Sequence, residues 1–287
     1  MTGDGNAIHG VLRLSCPDRM GIVAGVGAFL FERACNIVES AQFGDPKSSR
    51  FFMRVSFGSA RGDFAQMRRD FAGLSDRFAM QWAIDDMAVK PRVIVMVSRF
   101  GHCLNDLLYR WRIGALPVEI AAIVSNHRDW YKLAAAHDIP YHHLPVTAAD
   151  KPRRERQLLD IFEEERCELL VLARYMQVLS PELCGRLEGR AINIHHSFLP
   201  SFQGARPYSQ AHDRGVKLIG ATAHYVTSEL DEGPIIEQDV ARVDHAMSLE
   251  DCVNTGRDVE CAVLARAVKW HVEHRILLNG HRTVVFR

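Results

Sequence analysis

Three largely apolar runs, each about the length of one strand, constrain the fold of this 287-residue chain most strongly. They are Val93–Val97, Val118–Val124 and Glu168–Ala173. Strands that are apolar along their whole length are typical of parallel sheets with helices on both faces. Helical patterns at 104–112 and 129–137 follow the first two runs. From residue 92 onward we therefore predict an open, doubly wound, mostly parallel α/β sheet.

Further elements complete this region. Ala191–Ile194 predicts another strand, residues 248–273 a long helix, and the Asn279-Gly280 pair a C-terminal hairpin. Ligands of open α/β sheets bind beyond the carboxyl ends of the strands. We therefore expect the functional site at that edge of the sheet.

The residues before this region follow a different plan. Strand patterns at 8–16, 36–43, 50–57 and 80–84 alternate with helical patterns at 19–34 and 64–74. The order βαββαβ predicts a small ferredoxin-like domain. Asp18 is expected to cap its first helix. Because residues 87–91 form a polar connection that ends at Pro91, the predicted domains are 1–86 and 92–287 with a linker at 87–91.

Composition excludes several classes of protein. The chain has 35 basic and 35 acidic residues, whereas a nucleic-acid-binding protein usually carries a basic excess. Its apolar runs are far shorter than the roughly 18 residues that span a membrane. The seven cysteines are odd in number and form no C-x-x-C pair, which disfavours a disulfide framework or a zinc site. With no signal-peptide pattern at the start, these features favour a reducing cytoplasm.

Polar side chains gather at the end of one predicted strand. Asn193 and His195 alternate with isoleucines, so both point to the same face of the strand. An amide and a protonated imidazole placed together can stabilise an oxyanion. Asp231, on a later loop, could orient the imidazole and accept a proton from water. Each feature also has a structural explanation, since Asn193 could be a strand-end hydrogen-bonding residue and Asp231 part of a turn.

Two motifs at a fixed spacing carry a family resemblance. The motif N-I-H-x-S-x-L-P-S-F begins at Asn193, and D-x-G-P-I-I begins 38 residues later at Asp231. Together they resemble the folate-dependent formyltransferase family, over residues 90–287. In the first domain, the D-R-M-G-I-V segment at 18–23 lies at the first strand–helix turn. This arrangement resembles an ACT domain, a small-molecule regulatory module.

The formyltransferase resemblance implies an activity and a site. It implies that water attacks the formyl carbon on N10 of the substrate 10-formyltetrahydrofolate, with Asn193, His195 and Asp231 as the catalytic residues. No metal or redox cofactor is implied. The implied substrate-binding residues are Met176, Gln177, Leu179, Gly233 and His224. Gln177 stands where the family often has Arg, and His224 could instead be a structural strand histidine.

The ACT resemblance implies regulation. Asp18, Arg19, Gly21 and Ile22 are the implied site for an amino-acid effector. Because ACT domains pair, the chain is expected to be a homo-oligomer. The structural alternative is that Gly21 only allows close packing of the helix on the sheet.

The loop after the first strand of the large domain favours water as the acceptor. Relatives that formylate a phosphorylated amine have a Gly/Ser-rich loop there, whereas residues 98–106 contain one glycine among bulky side chains. His102 and Arg206 are candidates to line the place of an acceptor. The resemblance then implies a hydrolase whose formate supplies purine synthesis and balances one-carbon pools. An amine-acceptor formyltransferase and a non-catalytic folate or amino-acid sensor remain as alternatives.

Overall fold

A computed structural model describes residues 8–60, 62–199 and 207–287. The chain divides into two compact units. The first contains the residues up to Lys90 together with Glu273–Arg287, and the second contains Pro91–Val272. The division after Lys90 falls within the predicted linker at 87–91, and residues 273–287 belong to the first unit although the prediction placed them in the second domain.

The first unit has the predicted βαββαβ order. Its elements are β1 (Ile8–Pro17), α1 (Ile22–Glu32), β2 (Asn36–Asp45), β3 (Arg50–Ser59), α2 (Phe64–Phe78) and β4 (Gln81–Asp86). The sheet is antiparallel with the strand order β2-β3-β1-β4. Alternate side chains of β1 and β3 pack with residues of both helices in one apolar core. This arrangement is the ACT-like fold.

The expected cap of the first helix is wrong. Helix α1 begins at Ile22, and its N-cap is Gly21, which has no side chain to accept a hydrogen bond. Gly21 adopts a left-handed φ of 94°, a conformation that glycine reaches without steric cost. Asp18 lies before this turn, where its backbone N–H donates to Ser49 O at 3.0 Å. The helix therefore starts three residues later than the sequence pattern predicted.

The second unit is built on a seven-stranded sheet. Its elements are β5 (Arg92–Val97), α3 (His102–Arg112), β6 (Glu119–Ser125), α4 (Tyr131–Ala135), β7 (Tyr141–His143), α5 (Lys151–Glu164), β8 (Leu169–Leu172), α6 (Pro181–Arg186), β9 (Ala191–His195), α7 (Pro207–Asp213), β10 (Leu218–Tyr225), β11 (Ile235–Arg242) and α8 (Leu249–Val272). The strand order is β11-β10-β9-β8-β5-β6-β7. Strands β5 to β9 pair in parallel, and β10 and β11 are antiparallel. The mostly parallel open sheet is confirmed.

Chain order reverses beside β5, and this reversal positions the site. The chain adds β6 and β7 on one side of β5, then returns to add β8, β9 and β10 on the other. The loops that leave the carboxyl ends of β5 and β8 diverge at such a reversal and open a crevice between them. The polar side chains described below lie in β9 and β10 or in the loops that follow β5, β8, β9 and β10.

The C-terminal hairpin corrects the predicted limits of the second domain. Strands β12 (Ile276–Asn279) and β13 (Arg282–Val285) belong to the first unit rather than to 92–287. Leu277 and Phe286 pack against Phe52, which is fully buried. Because Phe52 alternates with the β3 residues of the helix-covered core, the hairpin covers the opposite face of that sheet. Arg282 and Asn279 also bond to Asp45, at 2.6 and 2.7 Å.

Candidate active site

Two neighbouring strands of the second unit present polar side chains to the same side of the sheet. In the antiparallel pairing of β9 with β10, Asn193 lies opposite His224, and His195 lies opposite Thr222. Directly opposite residues in an antiparallel pair share a face. The alternation with isoleucines places Asn193 and His195 on one face of β9, and the pairing adds Thr222 and His224 of β10. Four polar side chains therefore share this face of the sheet.

The three predicted catalytic residues, called the trio here, lie together. His195 Nδ1 is 3.0 Å from Asp231 Oδ2, which leaves His195 Nε2 as the free ring nitrogen. His224 Nδ1 donates to Tyr225 O at 2.9 Å, so its neutral form presents Nε2 as an acceptor. Asn193 Nδ2 lies 3.3 Å from that Nε2. This contact places the amide nitrogen of Asn193, rather than its oxygen, beside the ring.

The carboxylate of Asp231 is held in its charged form. Burial would raise its pKa, but the hydrogen bond and positive charge of His195, the nearer histidine, hold the pKa of Asp231 well below its usual range. Its Oδ1 is 3.5 Å from His224 Nε2. The residue has a left-handed φ of 58°, which Asp tolerates better than most side chains. Such strained backbone is common where a loop must aim a functional group.

Gly233 supports this loop from within the structure. A Cβ at Gly233 would lie 1.7 Å from Tyr225 O, so only glycine allows the loop to approach the end of β10 this closely. The sequence assigned Gly233 to substrate binding. Gly233 is not among the described residues that line the cavity, and its missing side chain lets the Asp231 loop pack against the strand.

A side-chain network fixes the segment that follows His195. Thr222 Oγ1 donates to Ser197 O at 3.0 Å and accepts from Leu199 N at 3.1 Å. Gln238 Nε2 bonds to both Thr222 Oγ1 and Leu199 O. The first residues after β9 are therefore held against β10 by buried hydrogen bonds.

A cavity of about 390 Å³ opens beside these side chains. All of the trio line it, as does His224. Three other residues that the sequence assigned to substrate binding also line it: Met176, Gln177 and Leu179. The cavity is thus bordered by catalytic candidates on one side and by the segment after β8 on another. Of the two acceptor-site candidates, Arg206 lies outside the described residues, and His102 contacts Glu260.

Arg174 and His196 also line the cavity, and neither of them was assigned a role from the sequence. Arg174 follows β8, is 8% exposed and has a left-handed φ of 64°. His196 is also buried, and its ring centroid is 5.1 Å from that of His195. Burial, together with the positive charge of Arg174, lowers the pKa of His196 to about 3. The doubled histidine of the motif was the available signal for His196.

A buried carboxylate lies next to Arg174. Glu260 is fully buried in α8 and accepts from Tyr208 Oη at 2.5 Å. Its other oxygen contacts His102 Nε2 at 2.7 Å and Arg174 Nε at 3.3 Å. Burial would raise the pKa of Glu260, but these partners lower it. A Cβ at Gly256 would lie 2.3 Å from the Tyr208 ring, so glycine makes room for this contact.

One group of possible metal ligands occurs among the described residues. Atoms of His102, Cys103 and Glu260 lie within 4.8 Å of one another. The Glu260 carboxylate is already paired with the guanidinium of Arg174, a cation that would repel a metal ion. Burial and a contact with Cys261 raise the pKa of Cys103, which disfavours the thiolate that binds metals. These residues fit a hydrogen-bonded network better than a metal centre.

The four residues assigned to an effector lie at the turn before α1. Asp18, Arg19 and Gly21 are exposed, whereas Ile22 is 2% exposed and belongs to the apolar core. Arg19 lies over the Phe78 ring, with its guanidinium carbon 5.2 Å from the ring centroid. The turn thus presents polar groups and a glycine to solvent, with Ile22 as its anchor.

Comparison with known proteins gives a consistent result. The family model for formyl transferases matches residues 91–268. The formyltetrahydrofolate deformylase of Corynebacterium sp. (strain P-1) is 49% identical, over 98% of this chain and 99% of the relative. The crystal structure of that enzyme from Burkholderia mallei has a TM-score of 0.94 and 55% identity, covering 98% of this chain and 100% of its own. Glycinamide ribonucleotide transformylase 1 from Symbiobacterium toebii is similar over 69% of this chain and 95% of its own, with a TM-score of 0.64 and 28% identity.

Proposed function

We infer the function of this chain from the premise that it belongs to the formyl transferase family and, within it, to the formyltetrahydrofolate deformylases. It hydrolyses 10-formyltetrahydrofolate to formate and tetrahydrofolate. The observation that carries this function is the contact of Asp231 with His195, beside Asn193 in a cavity. These groups suit the attack of water on a formyl carbon.

The geometry supports a role for each member of the trio. The Asn193 amide and the protonated His195, through its Nε2, donate to the formyl oxygen as negative charge develops on it. Asp231 orients the attacking water and helps to remove its proton, and it is the counter-ion of His195. His224 acts through Asn193, because its Nε2 contacts the amide nitrogen. It is therefore a positioning residue.

The reaction balances without a further reagent. The water oxygen forms a bond to the formyl carbon, and the bond from that carbon to N10 breaks. N10 takes up a proton and leaves as the amine of tetrahydrofolate, and the acid product loses a proton to become formate. Because the formyl carbonyl is already electrophilic and no electrons change hands, we propose that no metal or redox cofactor takes part.

Release of formate without an amine tests this function. Purified protein supplied with 10-formyltetrahydrofolate alone is expected to form formate and tetrahydrofolate in equal amounts. Adding glycinamide ribonucleotide should not change the rate or divert the formyl group. Formate is measured with a coupled dehydrogenase and tetrahydrofolate by absorbance. Turnover that begins only when the amine is added would assign the chain to the transferases instead.

We also propose a compartment and a metabolic role. All seven cysteines are free thiols, which fits a reducing cytoplasm. Among the described residues, no helix combines the length and apolar character needed to cross a membrane. The product is a one-carbon unit released from folate. We propose that it supplies formate-using steps of purine synthesis and balances the pool of charged folates.

Exposed apolar residues of the first unit support the proposal that the chain forms a homo-oligomer and binds an amino-acid effector. Strand β2 is at the edge of its sheet and exposes Val38 (67%), and α1 nearby exposes Phe31 (82%). An exposed apolar edge strand is a ready site for pairing with a second copy. We propose that two ACT-like units pair there. The turn at Asp18, Arg19, Gly21 and Ile22 would bind the effector beside the paired edge.

Charge at this edge is expected to separate the copies. In the proposed pair of subunits, Val38→Asp places one carboxylate on each of the two paired β2 edges, and these like charges repel. Light scattering should therefore show a smaller species than for the wild type. The change of hydrolysis rate that a small amino acid produces should disappear with it. Val89→Asp is the matched control, because Val89 is similarly exposed (64%) but lies outside the sheet. An unchanged mass for Val38→Asp would place the interface elsewhere.

A further inference from the structure

Three buried side chains that line the cavity have polar atoms without hydrogen-bond partners. Among the described residues, no hydrogen bond reaches His195 Nε2, either ring nitrogen of His196, or Arg174 Nε. The trio's mechanism uses the first of these atoms. It uses neither His196 nor Arg174. Buried donors without partners are costly, so such a group in a cavity points to a ligand that completes it.

Arg174 is held in place as a buried cation. Its Nε is 3.3 Å from Glu260 Oε2, an ion-pair contact, and its carbonyl accepts from Ser98 N at 3.2 Å. Glu260 is in turn fixed by Tyr208 and His102. Its two terminal amino groups make no hydrogen bond to another described residue and, unlike Nε, they keep some exposed surface. The side chain is thus anchored through Nε and retains donors for a ligand.

The free donors suit a carboxylate. A guanidinium binds the two oxygens of a carboxylate with parallel hydrogen bonds. His196 adds one donor in its neutral form. The negative charge of Glu260 is shared among three partners, so Arg174 can hold a second anion.

We propose that Arg174 and His196 form a carboxylate-binding site that receives formate when the C–N10 bond breaks. This inference rests on the proposed hydrolysis. The formyl carbon must lie beside His195, and the His195 and His196 rings are 5.1 Å apart, so formate is released next to the site. The glutamyl carboxylates of the folate share the same chemistry. They are separated from N10 by the benzoyl ring, which favours formate as the occupant.

Product inhibition tests the site. Sodium formate is expected to inhibit the wild type, against sodium chloride at equal ionic strength. Arg174→Gln should raise the inhibition constant of formate by about tenfold or more, because a charge-assisted carboxylate contact is lost. The KM for 10-formyltetrahydrofolate should change by less than about threefold. The inhibition constant of formate for Arg174→Lys should lie between those of the wild type and Arg174→Gln, since lysine keeps the charge and loses the paired donors.

Controls separate the site from a structural effect. Arg257→Gln removes a guanidinium that lies over the same Phe100 ring as Arg174, and it should leave formate inhibition unchanged. Arg174→Gln leaves Glu260 without its guanidinium partner and could fail to fold for that reason. The double variant Arg174→Gln/Glu260→Gln removes both charges, and it should bind formate as weakly as is expected for Arg174→Gln. Calorimetric titration of each protein with sodium formate measures the site without turnover.

The outcomes distinguish this inference from the proposed function. If formate inhibits Arg174→Gln as strongly as it inhibits the wild type, the proposed carboxylate site is wrong, whereas the proposed hydrolysis is unaffected. A rise of the substrate KM with an unchanged formate constant would assign Arg174 to the glutamyl carboxylates and would also overturn it. A wild type that binds formate but does not release it from 10-formyltetrahydrofolate would contradict only the function.

Discussion

Asp231→Asn is expected to lower kcat for formate release by about 10³- to 10⁴-fold, with only a small change of KM. The amide has nearly the same shape, so the loop should keep its course. It cannot accept a proton from water, and it no longer offers a negative charge to His195 Nδ1 at 3.0 Å. Single-turnover measurement of formate gives the rate of the chemical step directly.

A surface carboxylate provides the control for this variant. Asp239 lies on β11, and Asp239→Asn removes a charge that pairs with Arg266 of α8. The rate of this variant should stay within about twofold of the wild type. Retention of folate binding by Asp231→Asn, shown by calorimetry, would confirm that chemistry rather than folding was lost. A rate within tenfold of the wild type would remove Asp231 from the mechanism. A sensor without catalytic activity would show no formate release in either protein.

The low pKa of Asp231 sets the sign of its effect on stability. A carboxyl whose pKa is lowered on folding stabilises the folded state above its unfolded pKa, and this stabilisation is lost as the pH falls through the folded pKa. Asp231→Asn should therefore lower the melting temperature more at neutral pH than in strong acid. The wild-type Asp231 stays ionised throughout mildly acidic buffers.

Asn193→Ala should reduce kcat by about 10²- to 10³-fold, the usual cost of one oxyanion donor. The amide nitrogen of Asn193 is oriented by His224 Nε2 at 3.3 Å, so its remaining N–H is available to the formyl oxygen. Because the ground-state carbonyl carries little charge, KM should change far less than kcat. Asn254→Ala on α8 is the control, since Asn254 is an exposed asparagine away from the cavity. Equal losses in kcat and in substrate binding would argue that Asn193 only holds the substrate.

Much of the architecture could be predicted because it follows from local patterns. The run Val93–Val97 is apolar on both faces, and the structure buries it at the centre of a parallel sheet. The trio could be predicted because a short motif and its spacing specify it. Alternation along β9 then gave the shared face of Asn193 and His195, which the structure confirms.

The features that were missed depend on contacts between distant parts of the chain. Glu260 lies in a helix with many charges, where a carboxylate is usually exposed, and its burial follows from Tyr208 and His102. Arg174 adjoins an apolar strand, and its left-handed backbone has no signature in sequence. The hairpin after Asn279 was recognised from its turn, but a turn motif contains no information about the surface that the hairpin covers.

The position of that hairpin has a consequence for synthesis of the chain. Phe52 and its face of the β1–β4 sheet are covered by Leu277 and Phe286, which the ribosome makes after the whole second unit. During translation the first sheet is left with one apolar face uncovered, although its own strands emerged first. The second unit, by contrast, is continuous from Pro91 to Val272 and has all its parts as soon as it emerges. We therefore expect the second unit to complete its fold before the first, against the usual N-terminal-first order.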